Sequence, residues 1–124
     1  MRLMKERESL NVVADQQGSP TYAHDLAAAI LQIIHALEKG NKAYGIFHCS
    51  NQGITNWYEF ATAIQLNAGL SCQLNPITTD AYPTPAKRPA YAVMNTEKLK
   101  RVYGIEMREW QKALKSCIEK IQAE

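Results

Sequence analysis

The segment Leu10-Asn11-Val12-Val13-Ala14-Asp15-Gln16-Gln17-Gly18-Ser19-Pro20 contains a strand pattern that changes into a turn pattern. The two adjacent β-branched valines favour a strand over residues 10–14. The glycine and the proline that follow prevent a helix or a central strand from continuing through residues 15–20. A helical pattern begins directly afterwards, so this part of the chain has the order of elements from which α/β proteins are built.

The helix that follows this turn lies between Asp25 and Gly40. Asp25 near its beginning places a negative charge at the positive end of the helix dipole. Gly40 supplies the positive φ that commonly ends a helix. Spacings of three and four residues predict one buried apolar face, which consists of Leu26, Ala27, Ile30, Ile33, Ile34 and Leu37.

A second helix begins at a capping box formed by Asn56 and Glu59. In this motif the Asn side chain accepts a hydrogen bond from the Glu59 amide, and the Glu side chain reaches back to the Asn56 amide. Gly69 ends the helix. Its predicted buried face consists of Trp57, Phe60, Ala61 and Ile64.

Two further short strands and a proline-rich loop are predicted from the apolar runs and the prolines. The run Gly45–Cys49 is typical of a buried strand, with His48 as a core or strand histidine. Residues 72–77 form another strand, which Pro76 places at an edge of its sheet. The three prolines in residues 78–89 indicate an ordered loop without regular structure.

The C-terminal part of the chain contains two more predicted helices. Asn95 caps the first, and Gly104 ends it. The buried face of the last helix consists of Trp110, Ala113, Leu114, Cys117, Ile118 and Ile121. The whole pattern predicts an α/β fold with few short strands and about four helices. So few strands do not make a free-standing sheet, and the chain is therefore expected to be part of a larger sheet protein.

Composition and charge exclude several classes of protein. The formal net charge is +2, from 14 Lys and Arg against 12 Asp and Glu, which does not favour nucleic acid or an anionic membrane as a partner. No apolar run approaches the ~20 residues of a membrane span. The three cysteines are widely spaced, as expected of reduced thiols in a cytoplasmic protein. The three histidines lack metal-ligand spacing, so no metal site is predicted.

Four segments together resemble the dTDP-4-dehydrorhamnose reductases, which belong to the extended short-chain dehydrogenases. They follow the order and approximate spacing of that family, and they are NVVADQQGSPT (11–21), GIFH (45–48), TNWYEFA (55–61) and YPTPAKRP (82–89). The resemblance implies that residues 1–124 are a single substrate-binding domain. That domain would be the C-terminal portion of an extended short-chain dehydrogenase, without most of its Rossmann sheet.

The resemblance also implies a reaction, in which NADPH reduces the 4-keto group of dTDP-4-dehydro-L-rhamnose in nucleotide-sugar and polysaccharide biosynthesis. Family members bind NADPH at a glycine-rich turn and use a Tyr followed four residues later by a Lys. Neither motif occurs in this sequence. We therefore expect no catalytic residue and no bound cofactor in this chain, which should be inactive without the N-terminal half of the protein.

Three residues are candidates for binding the dTDP-sugar. Arg88 carries a fork of donors that suits a diphosphate, and the neighbouring prolines would hold it in place. Gln16 and Gln17 follow a strand, where ligands of α/β proteins usually bind, and amides suit a base edge or sugar hydroxyls. The alternatives are a surface arginine that ties the loop to Asp80 or to helix carbonyls, and a solvated glutamine turn.

Two other functions stay open at the level of the sequence. Relatives of the implied fold serve as non-catalytic regulatory or binding subunits, and a Tyr-x-x-x-Lys motif upstream would distinguish the enzyme from such a subunit. A small basic interaction module unrelated to sugars is the third alternative. Homodimer formation is compatible with the sequence, which identifies no interface.

Overall fold

The computed structural model describes residues 1–123 and confirms an α/β fold. Short strands lie among five α-helices and one 3-10 helix. The elements in chain order are α1 (Arg2–Glu6), β1 (Ser9–Val13), β2 (Gln17–Gly18), α2 (Ala23–Glu38), β3 (Thr55–Asn56), α3 (Trp57–Ala68), β4 (Gln73–Ile77), the 3-10 helix (Thr79–Ala81), α4 (Glu97–Tyr103) and α5 (Trp110–Ala123).

The strands form two small sheets. β1 and β4 pair in parallel, with Val12 opposite Pro76, which confirms the strands predicted near residues 10–14 and 72–77. Each of the two is an edge strand, so the proline has an outer side on which its missing N–H leaves no gap in the ladder. β2 and β3 pair antiparallel through two residues each.

The core consists of two clusters of buried side chains. One joins α2 to α4 and to the segment after α4, through Ala29, Leu99, Ile105 and Met107. The other joins α3 to α5, where Trp110, Leu114 and Ile118 pack against Phe60, Ala63, Ile64, Ala68 and Met1. The predicted inward positions of Leu99 and Trp110 are therefore confirmed.

The strand predicted at Gly45–Cys49 is wrong. The side chains alternate as in a strand, because Phe47 and Cys49 pack on the first core cluster while Ile46 and His48 point outward. Ile46 is 81% exposed, and no strand within residues 1–123 pairs with this segment. A strand needs a neighbouring backbone to accept its hydrogen bonds, so without one the segment is irregular. His48 is consequently neither a core nor a strand residue.

The predicted buried face of α2 is also partly wrong. Ala29 is buried and Ile33 packs on the first core cluster, but Ile30 and Ile34 are exposed. Leu31, on the same outer side, is 66% exposed. Because α2 is apolar on two sides, only one side can face the core of this chain. Ile121 in α5 is exposed for a similar reason, since the inner face of α5 ends at Ile118.

The remaining sequence predictions concern cysteines, metals and membranes. All three cysteines are free. Burial raises the pKa of the Cys49 thiol. Residues 1–123 contain no cluster of side chains suited to a metal ion. No helix within the same residues is both long enough and apolar enough to cross a membrane.

Candidate functional site

The principal cavity lies between the β2–β3 pair, the beginning of α3 and the end of the proline-rich loop. Its volume is about 280 Å³. This is at the small end of ligand pockets, and it suits part of a ligand better than a whole one. The cavity is lined by Gln16, Gln17, Gly18, Ser19, Pro20, Thr55, Asn56, Trp57, Phe60, Arg88, Pro89 and Ala92.

Backbone hydrogen bonds around Gln17 hold the walls of the cavity together. On one side Gln17 pairs with Asn56, so that β2 lies beside the start of α3. On the other side the Gln17 amide donates to the Ala90 carbonyl at 2.8 Å, and its carbonyl accepts from the Ala92 amide at 2.8 Å. The proline-rich loop is thereby fixed next to β2, and Arg88 faces the same space as the two glutamines.

The structure brings together all three residues that the sequence suggested for binding. Gln16 Nε2 donates to Thr79 Oγ1 at 3.1 Å. The side chains of Gln17 and Arg88 make no hydrogen bond or ion pair within residues 1–123, and Asp80 does not pair with the guanidinium. Their role in binding stays a prediction, but no hydrogen bond or ion pair within the described residues engages these two side chains.

A clamp between Asp15 and Thr79 positions the beginning of the loop. The Asp15 carboxylate accepts from the Thr79 amide at 2.9 and 3.0 Å and from the Thr79 hydroxyl at 2.6 Å. These hydrogen bonds, the one from the hydroxyl first, lower the pKa of Asp15. Sequence reasoning missed this clamp, although its two residues follow the carboxyl ends of adjacent parallel strands, where polar groups of α/β proteins gather.

Trp57 does not have the buried position that the helical spacing predicts. It is 54% exposed and lines the cavity. Asn56 caps α3 by accepting from the Glu59 amide at 2.9 Å, as predicted, which makes Trp57 the first residue of the helix. Glu59 departs from the predicted capping box, because its carboxylate accepts from the Thr55 hydroxyl at 3.0 Å. The inward face of α3 begins one turn later, at Phe60.

A second cavity, of about 390 Å³, lies between α2 and the segment that connects α4 to α5. Two of its charged residues, Asp25 and Arg108, pair with each other, and the third, Glu106, pairs with Lys100. The Arg108 guanidinium donates through Nε and Nη2 to the two oxygens of Asp25, both at 2.8 Å. The hydrogen bond from Arg108 is the main reason that the pKa of Asp25 is lowered.

The buried side chain of Asn51 also belongs to this polar cluster. It is 1% exposed. Its amide nitrogen donates to Asp25 Oδ2 at 2.9 Å and to the Arg108 carbonyl at 3.1 Å, and its oxygen accepts from the Tyr22 amide at 2.8 Å. Asn51 therefore ties together three segments that are far apart in sequence. Sequence reasoning did not find it, because a single asparagine after an apolar run carries no pattern.

The principal cavity has the chemistry of a binding site. Its lining contains no carboxylate, histidine, cysteine, lysine or tyrosine, and so no side chain that commonly acts as general acid or base. It offers one cation, several amides and hydroxyls, and apolar rings. Such a combination can hold and orient an anionic ligand with a planar part.

Comparison with known proteins identifies relatives along nearly the whole chain. The family model for the RmlD substrate binding domain matches residues 1–123. A dTDP-4-dehydrorhamnose reductase of Aggregatibacter actinomycetemcomitans is 42% identical in an alignment of 123 positions that covers 94% of this chain and 42% of that protein. The chain thus spans less than half the length of this relative.

Solved structures agree with these sequence matches. A dTDP-4-dehydrorhamnose reductase of Clostridium acetobutylicum superimposes with a TM-score of 0.89 at 40% identity, over 98% of this chain and 41% of that one. The enzyme of Bacillus anthracis, solved in complex with NADP, gives a TM-score of 0.86 at 36% identity, over 96% of this chain and 40% of the other.

Proposed function

The chain belongs to the RmlD substrate-binding domain family, and we propose that it is the substrate-side part of an NADPH-dependent dTDP-4-dehydrorhamnose reductase. The complete protein would reduce dTDP-4-dehydro-L-rhamnose to dTDP-L-rhamnose for polysaccharide biosynthesis. Within it, these residues would bind the sugar nucleotide, and the chain by itself would be inactive.

The observation that carries this proposal is a cavity lined by both Arg88 and Gln17, whose side chains make no hydrogen bond or ion pair within residues 1–123. Arg88 belongs to a loop that prolines and backbone hydrogen bonds hold in place. A guanidinium in such a loop, with no carboxylate paired to it within residues 1–123, is suited to a diphosphate. The same lining lacks an acid or a base. These features together support binding of a sugar nucleotide rather than catalysis by this chain.

The residues of this chain do not form a site for NADPH. A dinucleotide is held where a glycine-rich turn leads into the N-terminus of a helix. The closest pair of glycines here, Gly40 and Gly45, follows the C-terminus of α2, which presents carbonyls rather than amides. We therefore assign cofactor binding, and the proton donor of the reaction, to residues outside these 124.

The rest of the protein is proposed to cover two exposed surfaces of this chain. One is the outer side of α2, with Ile30, Leu31 and Ile34, and the other is the segment Gly45–Cys49. A helix that is apolar on both sides is normally buried between two layers. The segment Gly45–Cys49 has side chains that alternate as in a strand, an exposed Ile46 and no paired strand within residues 1–123. These features fit the edge of a larger sheet.

A cytoplasmic location is part of the same proposal. Buried and half-buried thiols at Cys49, Cys72 and Cys117 suit a reducing compartment, in which free cysteines persist. NADPH and nucleotide sugars would both be available there.

The test compares the complete protein with the 124-residue chain. With dTDP-4-dehydro-L-rhamnose generated in situ, the complete protein should oxidise NADPH, and the chain should not. The chain should also fail to bind NADPH when the fluorescence of the nucleotide is titrated. A dissociation constant in the low micromolar range, about −8 kcal/mol, would contradict the assignment of the cofactor site. A complete protein that binds dTDP without oxidising NADPH would instead be a regulatory subunit.

A further inference from the structure

The two tryptophans of the chain have opposite environments. Trp110 is 6% exposed and packs edge-to-face against Phe60 in the core between α3 and α5. Trp57 is 54% exposed, belongs to neither core cluster, and lies in the wall of the principal cavity. The more exposed of the two indoles therefore lies outside both core clusters and lines the same cavity as Arg88.

An indole at this position is suited to a planar ligand. Leaving a large apolar ring in water is unfavourable, and covering it with another ring removes that exposure. Nucleic-acid bases stack on aromatic side chains in this way, and the stacking tolerates any base because every base has a π face. The cavity is also lined by the apolar residues Phe60, Pro20, Pro89 and Ala92.

The lining of the cavity includes two polar side chains of different chemistry, an amide and a guanidinium. The side-chain amide of Gln17 makes no hydrogen bond to residues 1–123, so it can donate to and accept from the edge of a base. Arg88 offers paired donors for a diphosphate. A nucleoside diphosphate has a part to match each of these groups, since its base has a hydrogen-bonding edge and its diphosphate is negatively charged.

We propose that Trp57 is the platform on which the base of the nucleotide sugar stacks, with Gln17 at the base edge and Arg88 at the diphosphate. The inference rests on the proposed function, because it assumes that the cavity takes a dTDP-sugar. It adds a positioning residue that holds the nucleotide end of the substrate. The sugar would then extend towards the part of the protein that lies outside this chain.

The first experiment measures binding of dTDP to the 124-residue chain by calorimetry. Trp57→Ala should weaken binding about tenfold, or ~1.4 kcal/mol, because the platform is lost. Trp57→Phe keeps a smaller ring and should lose about threefold or less. Leu66→Ala is the matched control, because Leu66 is on the same helix, is 76% exposed and does not line the cavity. It should leave the affinity unchanged.

The second experiment uses the tryptophans as reporters. Thymidine at millimolar concentration should quench the emission of the wild-type chain, because it stacks on Trp57 without needing a phosphate. In Trp57→Phe only the buried Trp110 emits, and thymidine should leave its emission unchanged. L-rhamnose should not quench either protein.

The outcomes separate the two proposals. If dTDP does not bind to the chain or to the complete protein, both proposals fail. If Arg88→Ala weakens dTDP binding while Trp57→Ala leaves it unchanged, the binding site stands and the stacking platform is wrong. If L-rhamnose quenches Trp57 and thymidine does not, the platform holds the sugar, and the assignment of the base is overturned.

Discussion

The principal cavity, of about 280 Å³, and the second cavity, of about 390 Å³, differ in how their polar groups are used. At the second cavity Asp25 and Arg108 bond to each other, and the buried Asn51 behind them bonds to both. In the principal cavity Arg88 and Gln17 have no side-chain partner within residues 1–123. Polar groups that already bond to other groups of the protein contribute to stability. Charged and amide groups that have no such protein partner are available to a ligand.

Sequence distance underlines this difference. The Asp25–Arg108 pair links residues 83 positions apart, and Asn51 links both to the beginning of α2. Such a cluster holds together segments that would otherwise separate, and a ligand could use its charged groups only by displacing bonds that already exist. The principal cavity needs no such rearrangement. The comparison predicts that mutations in one cavity change folding and that mutations in the other change binding.

The largest expected effect is on stability, from Asn51→Ala. Removing this buried amide leaves the Tyr22 amide without a partner and takes a donor from Asp25. It also takes one of two donors from the Arg108 carbonyl, which keeps its hydrogen bond from the Gln52 amide. We expect a loss of about 3 kcal/mol in the free energy of unfolding, because each unsatisfied buried group costs about 1–3 kcal/mol. Urea denaturation of the chain measures it.

The control for this prediction is dTDP binding, measured at a temperature where Asn51→Ala is folded. The affinity should equal that of the wild type, since Asn51 does not line the principal cavity. A variant of unchanged stability would show that the cluster around Asp25 is not structural, and the contrast between the cavities would disappear.

The next effect is on binding, from Arg88→Ala. Loss of a charge-assisted hydrogen bond to the diphosphate removes roughly 1.5–3 kcal/mol, which is about ten- to a hundredfold in affinity or in the KM of the complete enzyme. The melting temperature should change little, because no hydrogen bond or ion pair within residues 1–123 is lost. Arg88→Lys should recover only part of the affinity, since a point charge does not reproduce the guanidinium fork.

The opposite result is equally specific. If Arg88→Ala lowers the melting temperature and leaves KM unchanged, the arginine has a structural role. Gln16 and Gln17 would then be the next residues to test for binding.

Local patterns were sufficient for most of the elements and for part of the site. The strands near residues 10–14 and 72–77, the Asn56 cap and the glycine that ends α4 follow from side-chain chemistry that acts within a few residues. Arg88 was proposed from its proline-rich surroundings, and the structure places it beside the glutamines.

Predictions failed where burial depends on what packs against an element. Periodicity places Trp57, Ile30 and Ile34 on apolar faces, but it does not say whether anything covers those faces. The segment Gly45–Cys49 has the alternation of a strand and lacks a neighbour within residues 1–123. Asn51 shows the converse, since its importance comes from three contacts that are distant in sequence.

The smallest expected effect is the pH dependence of stability contributed by Asp25. The hydrogen bond from Arg108 lowers the pKa of this carboxyl from its ordinary value of 3.8 in the folded state. A lowered pKa means that the ionised form is favoured by folding. Its contribution is complete above the ordinary value and is lost as pH falls through the folded value. The Asp25→Asn variant cannot ionise and lacks this contribution at every pH.

The melting temperatures of wild type and Asp25→Asn should therefore differ at neutral pH and converge below pH 3.8. At neutral pH the free energies of unfolding should differ by about 1 kcal/mol. The difference is small because the new amide still accepts one hydrogen bond and because solvent screens the Arg108 side chain, which is 38% exposed. Asp15→Asn is the matched control: the pKa of Asp15 is also lowered, but this carboxylate is exposed to water, and its partner Thr79 is half-buried. Its melting curve should follow that of the wild type more closely at every pH. If instead Asp15→Asn shows the larger loss, the loop clamp contributes more to stability than the paired cavity does, and the division between a structural cavity and a binding cavity is wrong.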